Sequence, residues 1–302
     1  MCSTFPTEFF VAGNGQDALA TWRGRLARCL NLQAMPIVAG ALWLLVITTS
    51  AASPLIIAHR GASHDAPENT LTAFNLAWQQ GADGIEVDLQ LTKDGHVVCI
   101  HDADTRKVAN RRLVVRDSTL EELQSIDVGA HHGDAFHGER IPTLDQVLAT
   151  VPPGKLVYLD IKAGAEIISP ILATLDSSPI TAGQIVFLSF DAGLLREIKK
   201  QAPQYKAHWL CRVRKGRLFS GFRPSLESVL QTLRESGADG LASRHSDISD
   251  DFIKAVIAAG FEHHVWTVND PRQAARFQKL GTQAIITSNP GSLRESFANN
   301  PP

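Results

Sequence analysis

The sequence predicts a (β/α)8 TIM barrel with a β-hairpin added at the rim after the second strand. Three observations predict it. From residue 55 onward, short apolar runs alternate with stretches whose apolar residues recur at helical spacing. The alternation continues over about 240 residues, the length such a barrel takes. Inside the second unit, Asp94-Gly95 separates two apolar runs, the composition of a hairpin turn.

The strands are read in order at 55–58 (LIIA), 84–89 (GIEVDL), 156–161 (LVYLDI) and 185–188 (IVFL), then at 207–211 (AHWLC), 239–242 (DGLA), 263–268 (HHVWTV) and 284–287 (AIIT). Helical faces between them are marked by Leu71, Phe74 and Trp78, by Leu194, Leu195 and Ile198, by Leu226, Val229, Leu230 and Leu233, and by Phe252, Val256 and Ile257. Asn69 stands where the cap of the first helix belongs. A two-residue Asp94-Gly95 loop pairs Lys93 with His96 and so sets His101 opposite Asp88, making 97–101 the return arm of a hairpin. Residues 102–155 form a compact connection with two short helices, one in DSTLEELQSIDVG and one opened by Pro142-Thr143. A doubly wound open sheet is the alternative topology, but no GxGxxG or P-loop pattern supports a nucleotide-binding version of it.

Residues 1–52 differ from the rest. Arg23, Arg25 and Arg28 precede an uncharged apolar run, Ile37 to Thr49, followed by Ser50, Ala51 and Ala52. This is the layout of a secretory signal peptide, and the run is shorter than the roughly 20 residues of a membrane span. An exported protein, periplasmic or secreted, is expected, with an uncleaved N-terminal membrane anchor as the alternative, and residues 53–302 are expected to form the barrel domain. Cys99 and Cys211, in apolar runs far apart, read as buried free thiols. With 29 basic and 31 acidic residues and no basic block, nucleic acid is not an expected partner.

In a barrel of this kind the chemistry sits at the carboxyl ends of the strands. Those ends carry His59 and Arg60, Glu86 and Asp88, and Asp160 and Lys162, and the hairpin adds His101. The later ends offer Ser189, His208 or Arg212, Ser243, Trp266 and Ser288. Glu86 and Asp88, two apart on a strand, point to one face. With Asp160 they make an all-oxygen trio suited to one Mg2+ or Ca2+; a salt-bridge network with Arg60 and Lys162 is the plainer reading. His59 and His101 supply two imidazoles that titrate near neutrality, as an acid and a base on a phosphodiester require. Arg60 and Lys162 supply positive charge for phosphate oxygens.

Taken together, IAHRG, PENTLTAF, GADGIEVDLQLTKDGHVVCIHD, IPTLDQVL, LDIK, VWTVND and AIITSNP resemble the glycerophosphodiester phosphodiesterases, in order and spacing, over about residues 55–295. The resemblance implies a barrel that hydrolyses glycerophosphodiesters, small-molecule substrates, to glycerol 3-phosphate and an alcohol, with one divalent cation. It implies His59 and His101 as the acid/base pair, Glu86, Asp88 and Asp160 as metal ligands, and Arg60 and Lys162 as phosphate contacts. It places Glu68 near the metal or just behind it, and Trp266 against the glycerol. Asp160 departs from the family's usual Glu, and Ser288 replaces a rim Asp, which bears on substrate preference. Two other readings stay open on sequence alone. One is a phospholipase D-like enzyme acting on lysophospholipid or sphingolipid. The other is a phosphate-ester-binding protein without turnover.

Overall fold

The computed structural model describes residues 53–215, 222–246 and 248–299; the expected leader, 1–52, lies outside them. Eight parallel strands close on themselves. They are β1 (Leu55–His59), β2 (Gly84–Leu91), β4 (Leu156–Ile161), β5 (Ile185–Ser189), β6 (Lys206–Cys211), β9 (Gly240–Arg244), β10 (Glu262–Trp266) and β11 (Ala284–Thr287). β1 pairs with β2 on one side and with β11 on the other, so the sheet has no free edge at the seam. The open-sheet alternative is thereby excluded. The strip β3 (Val97–Cys99) lies antiparallel on β2, and the two-residue strands β7 (Arg214–Lys215) and β8 (Phe222–Arg223) pair beside the barrel.

Both faces of each barrel strand are buried, which explains the nearly continuous apolar runs. Ile57, Tyr158, Val186, Leu188, Leu210, Ala242, Ala284 and Ile286 form one cluster inside the barrel. Residues of the opposite parity, such as Ile56, Ile85, Val87, Leu159 and Phe187, pack outward against the helices. Two residues beyond Ile57 stands His59 and two beyond Tyr158 stands Asp160; Glu86 and Asp88 share that inward parity. The interior therefore changes from apolar to ionisable toward the carboxyl ends of the strands. β10 shows the gradient in reverse at the other end: Glu262 at the foot, buried His264 midway and Trp266 at the mouth.

The outer layer comprises α1 (Leu71–Gln79), the short α2 (Leu120–Gln124) and α3 (Leu144–Leu148), then α4 (Ile168–Asp176), α5 (Ala192–Gln201), α6 (Leu226–Ser236), α7 (Asp250–Ala258), α8 (Pro271–Lys279) and α9 (Pro290–Asn299). α2 opens on a reciprocal Thr119/Glu122 capping box. Val98, Ile100, Val115, Leu123 and Ile141 make a satellite core that seats the 102–155 connection beside the hairpin.

The hairpin register differs from expectation by one residue. Leu89 pairs with Cys99 and Leu91 with Val97. The Thr92 N–H donates to the His96 carbonyl (2.9 Å) and the Gly95 N–H to the Thr92 carbonyl (3.1 Å), so the loop is Lys93-Asp94-Gly95. Only Gly95 takes a left-handed φ, +84°, which is the third position of a three-residue loop; a two-residue Asp-Gly turn needs positive φ at both residues. Ile100, not His101, consequently bonds to Asp88, N–H to carbonyl at 3.0 Å. His101 reaches the mouth as the chain leaves β3.

Candidate active site

β1 ends in a sharp backbone reversal: Arg60 has φ +57° and Gly61 φ +80°. A left-handed arginine costs on the order of 1–3 kcal/mol and persists only where its surroundings hold it. Here the Arg60 N–H donates to Glu86 Oε2 (2.8 Å), Nη1 donates to Glu68 Oε1 (3.0 Å), and Nε lies 3.0 Å from Asp88 Oδ2. Gly61 serves the reversal through packing. A Cβ there would fall 2.6 Å from the backbone of Ala73, so it is the seating of α1 that excludes a side chain.

Asn69 does not cap α1. That role falls to Thr70, whose hydroxyl accepts from the Ala73 N–H (3.2 Å). Asn69, itself at φ +58°, turns its amide inward: Nδ2 donates to Asp88 Oδ2 (2.8 Å) and Oδ1 accepts from the Asp88 N–H (3.2 Å). It orients Asp88 from both sides. In the sequence it is hidden, because Asn immediately before a helix reads as a cap.

Glu86, Asp88 and Asp160 are buried together, with carboxylate oxygens within 4.8 Å of one another. Burial pushes the Glu86 carboxyl well above its ordinary range, and the neighbouring Asp88 and Asp160 charges add to this. Burial likewise raises Asp160 to about 7, against the pull of Lys162. For Asp88 the same desolvation is overcome by Lys162 and Arg60, which bring it down to about 2. Lys162 reaches both aspartates, 3.1 Å from Asp88 Oδ1 and in direct hydrogen bond with Asp160 Oδ2. Two cationic side chains thus face three buried carboxylates. Asp160 Oδ1 is left buried without a hydrogen-bond partner among the described residues. This donor set, all oxygen and short of positive charge, fits a hard divalent cation. The shorter side chain at 160 still brings its oxygen into the group.

The two imidazoles are held differently. His59 is half-buried, with Nδ1 3.3 Å from the Ser288 hydroxyl. Desolvation, reinforced by Arg60, lowers its pKa to about 3, so it is neutral at physiological pH. His101 is partly exposed, and its Nδ1 lies 2.6 Å from Asp102 Oδ1. The carboxylate fixes hydrogen on Nδ1 and leaves Nε2 for exchange. Both rings line one cavity of about 230 Å3 with Arg60, Glu86, Asp160 and Lys162, while Leu188, Leu210, Trp266 and Ile286 supply an apolar wall.

Asp88 lies beneath the lining, tied to it by Arg60 and Lys162, and Glu68 stands behind Arg60, where it also takes an ion pair from Lys107 (2.6 Å). The indole N–H of Trp266 donates to the Ala242 carbonyl (2.9 Å), which fixes the ring in the cavity wall. Of the two candidates on β6, Arg212 lies at the mouth, whereas His208 is fully buried near the foot beside His264. Phe190, also at the mouth, carried no signal in the sequence beyond following a strand.

Two imidazoles, three buried carboxylates and two cationic side chains around one barrel cavity make the equipment of an enzyme that cleaves phosphate esters. The comparisons narrow the class. A sequence model of the glycerophosphoryl diester phosphodiesterase family matches residues 59–292, and the chain belongs to that family of phosphoric diester hydrolases. It is 35% identical over 243 residues to a glycerophosphodiester phosphodiesterase of Caldanaerobacter subterraneus, covering 79% of this chain and 96% of that one. A putative glycerophosphodiester phosphodiesterase of Bacillus subtilis is 34% identical, with 78% and 94% covered. Among solved structures, an Oleispira antarctica phosphodiesterase in complex with the product sn-glycerol-3-phosphate superposes with a TM-score of 0.73 at 25% identity, covering 81% of this chain and 97% of that one.

Proposed function

We propose that the protein hydrolyses glycerophosphodiesters to glycerol 3-phosphate and a free alcohol, with His59 and His101 as the proton-transfer pair and Mg2+ or Ca2+ as cofactor. The observation that carries this reading is the convergence of both imidazoles on the cavity that Arg60, Lys162 and the carboxylates line. The glycerol 3-phosphate bound to the Oleispira antarctica relative supports the product.

Glu86, Asp88 and Asp160 would hold the cation, which when bound supplies Lewis-acid stabilisation of charge at the phosphoryl group. Arg60 and Lys162 bind the non-bridging phosphate oxygens and orient the diester. His59, held neutral by its desolvated site and by Arg60, accepts the proton of the attacking oxygen. That oxygen belongs to water, which gives glycerol 3-phosphate directly, or to the glycerol 2-hydroxyl, which gives a cyclic phosphate that water then opens to glycerol 3-phosphate. His101, its tautomer set by Asp102, donates from Nε2 to the departing alkoxide as the phosphorus–oxygen bond breaks. Trp266, with Leu188, Leu210 and Ile286, gives the glycerol carbons an apolar wall and keeps bulk water from that side.

The test is turnover of glycerophosphocholine by the purified protein with Mg2+, with Ca2+ and with EDTA, following glycerol 3-phosphate and choline. Cation-dependent release of both is expected. Full activity in EDTA would remove the metal from the scheme, and no release with either cation would overturn the reaction.

A further inference from the structure

One side of the rim carries positive charge that the rest of the protein leaves uncompensated. Arg212, Arg214 and Arg223 are all exposed, and none has a carboxylate partner among the described residues. The sequence has no Asp or Glu from residue 198 to residue 226. Arginines elsewhere on the surface are paired: Arg106 and Arg112 with Asp104, Arg272 with Asp270, Arg276 with Asp250.

Arg214 and Arg223 stand directly opposite each other in the antiparallel β7/β8 pair. Like charges in that position destabilise a ladder, so folding alone gives no reason for them. Arg212, two residues before Arg214, lies over the rings of Phe190 (5.7 Å to the centroid) and Trp266 (5.9 Å), which keeps its guanidinium at the mouth. Phe190 itself is 46% exposed. The other exposed large hydrophobic side chain among the described residues, Leu55, starts β1 at the opposite end of the barrel.

We propose that Arg212, Arg214, Arg223 and Phe190 form a surface that docks on a bilayer of anionic phospholipids. Guanidinium groups take head-group phosphates in two-pronged contacts, and a phenyl ring beside them enters the boundary of the acyl chains. Three arginines are too few to follow a nucleic acid, which is held through roughly 6–10 phosphates. Docking on this side leaves the site accessible. Arg212 follows β6, and β4 and β5 separate that strand from β2, which carries β3 and the chain to His101. Beside His101 an open groove of about 760 Å3, lined by Gln90, Asp102, Asp104 and Lys107 among others, stays in contact with water. The inference stands apart from the reaction proposed above, because binding to a bilayer requires no turnover.

The test is sedimentation of the full-length protein with vesicles of phosphatidylcholine alone and of phosphatidylcholine mixed with phosphatidylglycerol, at low and high salt. The wild type is expected to prefer the phosphatidylglycerol mixture at low salt and to lose most of that preference at high salt. The double variant Arg214→Gln/Arg223→Gln should bind the mixture roughly 30-fold more weakly, about fivefold per arginine, with binding to phosphatidylcholine unchanged. Phe190→Ser should reduce the part of the binding that salt leaves intact. Urea unfolding of the double variant separates lost docking from lost fold: its midpoint should equal or exceed that of the wild type, because the facing like charges are gone. A lower midpoint would make the arginine pair a structural feature of the hairpin and overturn the proposal. So would wild-type binding without preference for phosphatidylglycerol, the same preference in the double variant, or displacement of the protein from vesicles by a DNA duplex.

Discussion

Asp88 is held by Arg60 and Lys162 through its carboxylate and by Asn69 through both its carboxylate and its backbone N–H. Asn69→Ala removes the two contacts that come from a neutral group and leaves the charges in place. Loss of such an orienting partner typically weakens metal binding about 10–100-fold, so activation by Mg2+ or Ca2+ should shift to correspondingly higher concentrations, and an unchanged activation curve would refute the role given to Asn69. His59→Ala and His101→Ala should each lower kcat about 10²–10⁴-fold with circular dichroism unaltered. Losses below about tenfold for both would dismiss them as the proton-transfer pair. At this scale the ionisable groups were legible in the sequence. An imidazole or carboxylate at the end of an apolar strand is costly to bury without a purpose, and Glu86 and Asp88 share a face by strand parity alone. Asn69 and Phe190 were not, since each residue type has an ordinary local role that masks a tertiary one.

At the scale of elements, strands were legible because a sheet covered on both faces demands apolar runs, and the helices between them by their spacing. Register was not. Asp94-Gly95 fits a two-residue loop and a three-residue loop equally well in composition, and the choice fell to where a positive φ is tolerated. Gly95 and Gly61 give a matched pair of tests. Nothing lies within 4 Å of a Cβ at Gly95, so Gly95→Ala should cost only the backbone term, about 1 kcal/mol. Gly61→Ala adds a collision with α1, 2.6 Å from Ala73, and should cost roughly 1–3 kcal/mol beyond that. Urea unfolding of the two variants orders them; equal losses would contradict the packing of α1 described above.

For the whole molecule, the foot of the barrel sets the response to acid. His263 is buried between the Ser243 and Thr282 hydroxyls, and His264 sits against His208; burial lowers both pKa values to about 3. Between the ordinary histidine value of about 6.5 and pH 3, the unfolded chain takes up protons that the folded chain refuses. Each residue therefore withdraws about 1.4 kcal/mol of stability per pH unit as the pH falls through that window. Glu262, held well below the usual carboxylate range by His208 and then His264, acts in the same direction once the pH drops under the ordinary glutamate value. Glu86 and Asp160, whose pKa values are raised, act in the opposite sense, so the measurement is made with saturating Mg2+ or Ca2+. The urea midpoint should be clearly lower at pH 5 than at pH 7, and a midpoint that held or rose would contradict the neutral burial of His263 and His264.

Strand β1 begins at Leu55 and reaches the catalytic end only at His59, so the polypeptide enters the barrel at the foot and the mouth opens at the opposite end. Seams of this kind decide how the protein can be handled. A tag, fusion partner or solid support joined ahead of Ser53 attaches at the end remote from the cavity, and immobilised protein should work on small diesters at close to its rate in solution. Coupling through a residue engineered near Phe190 should instead obstruct the entrance.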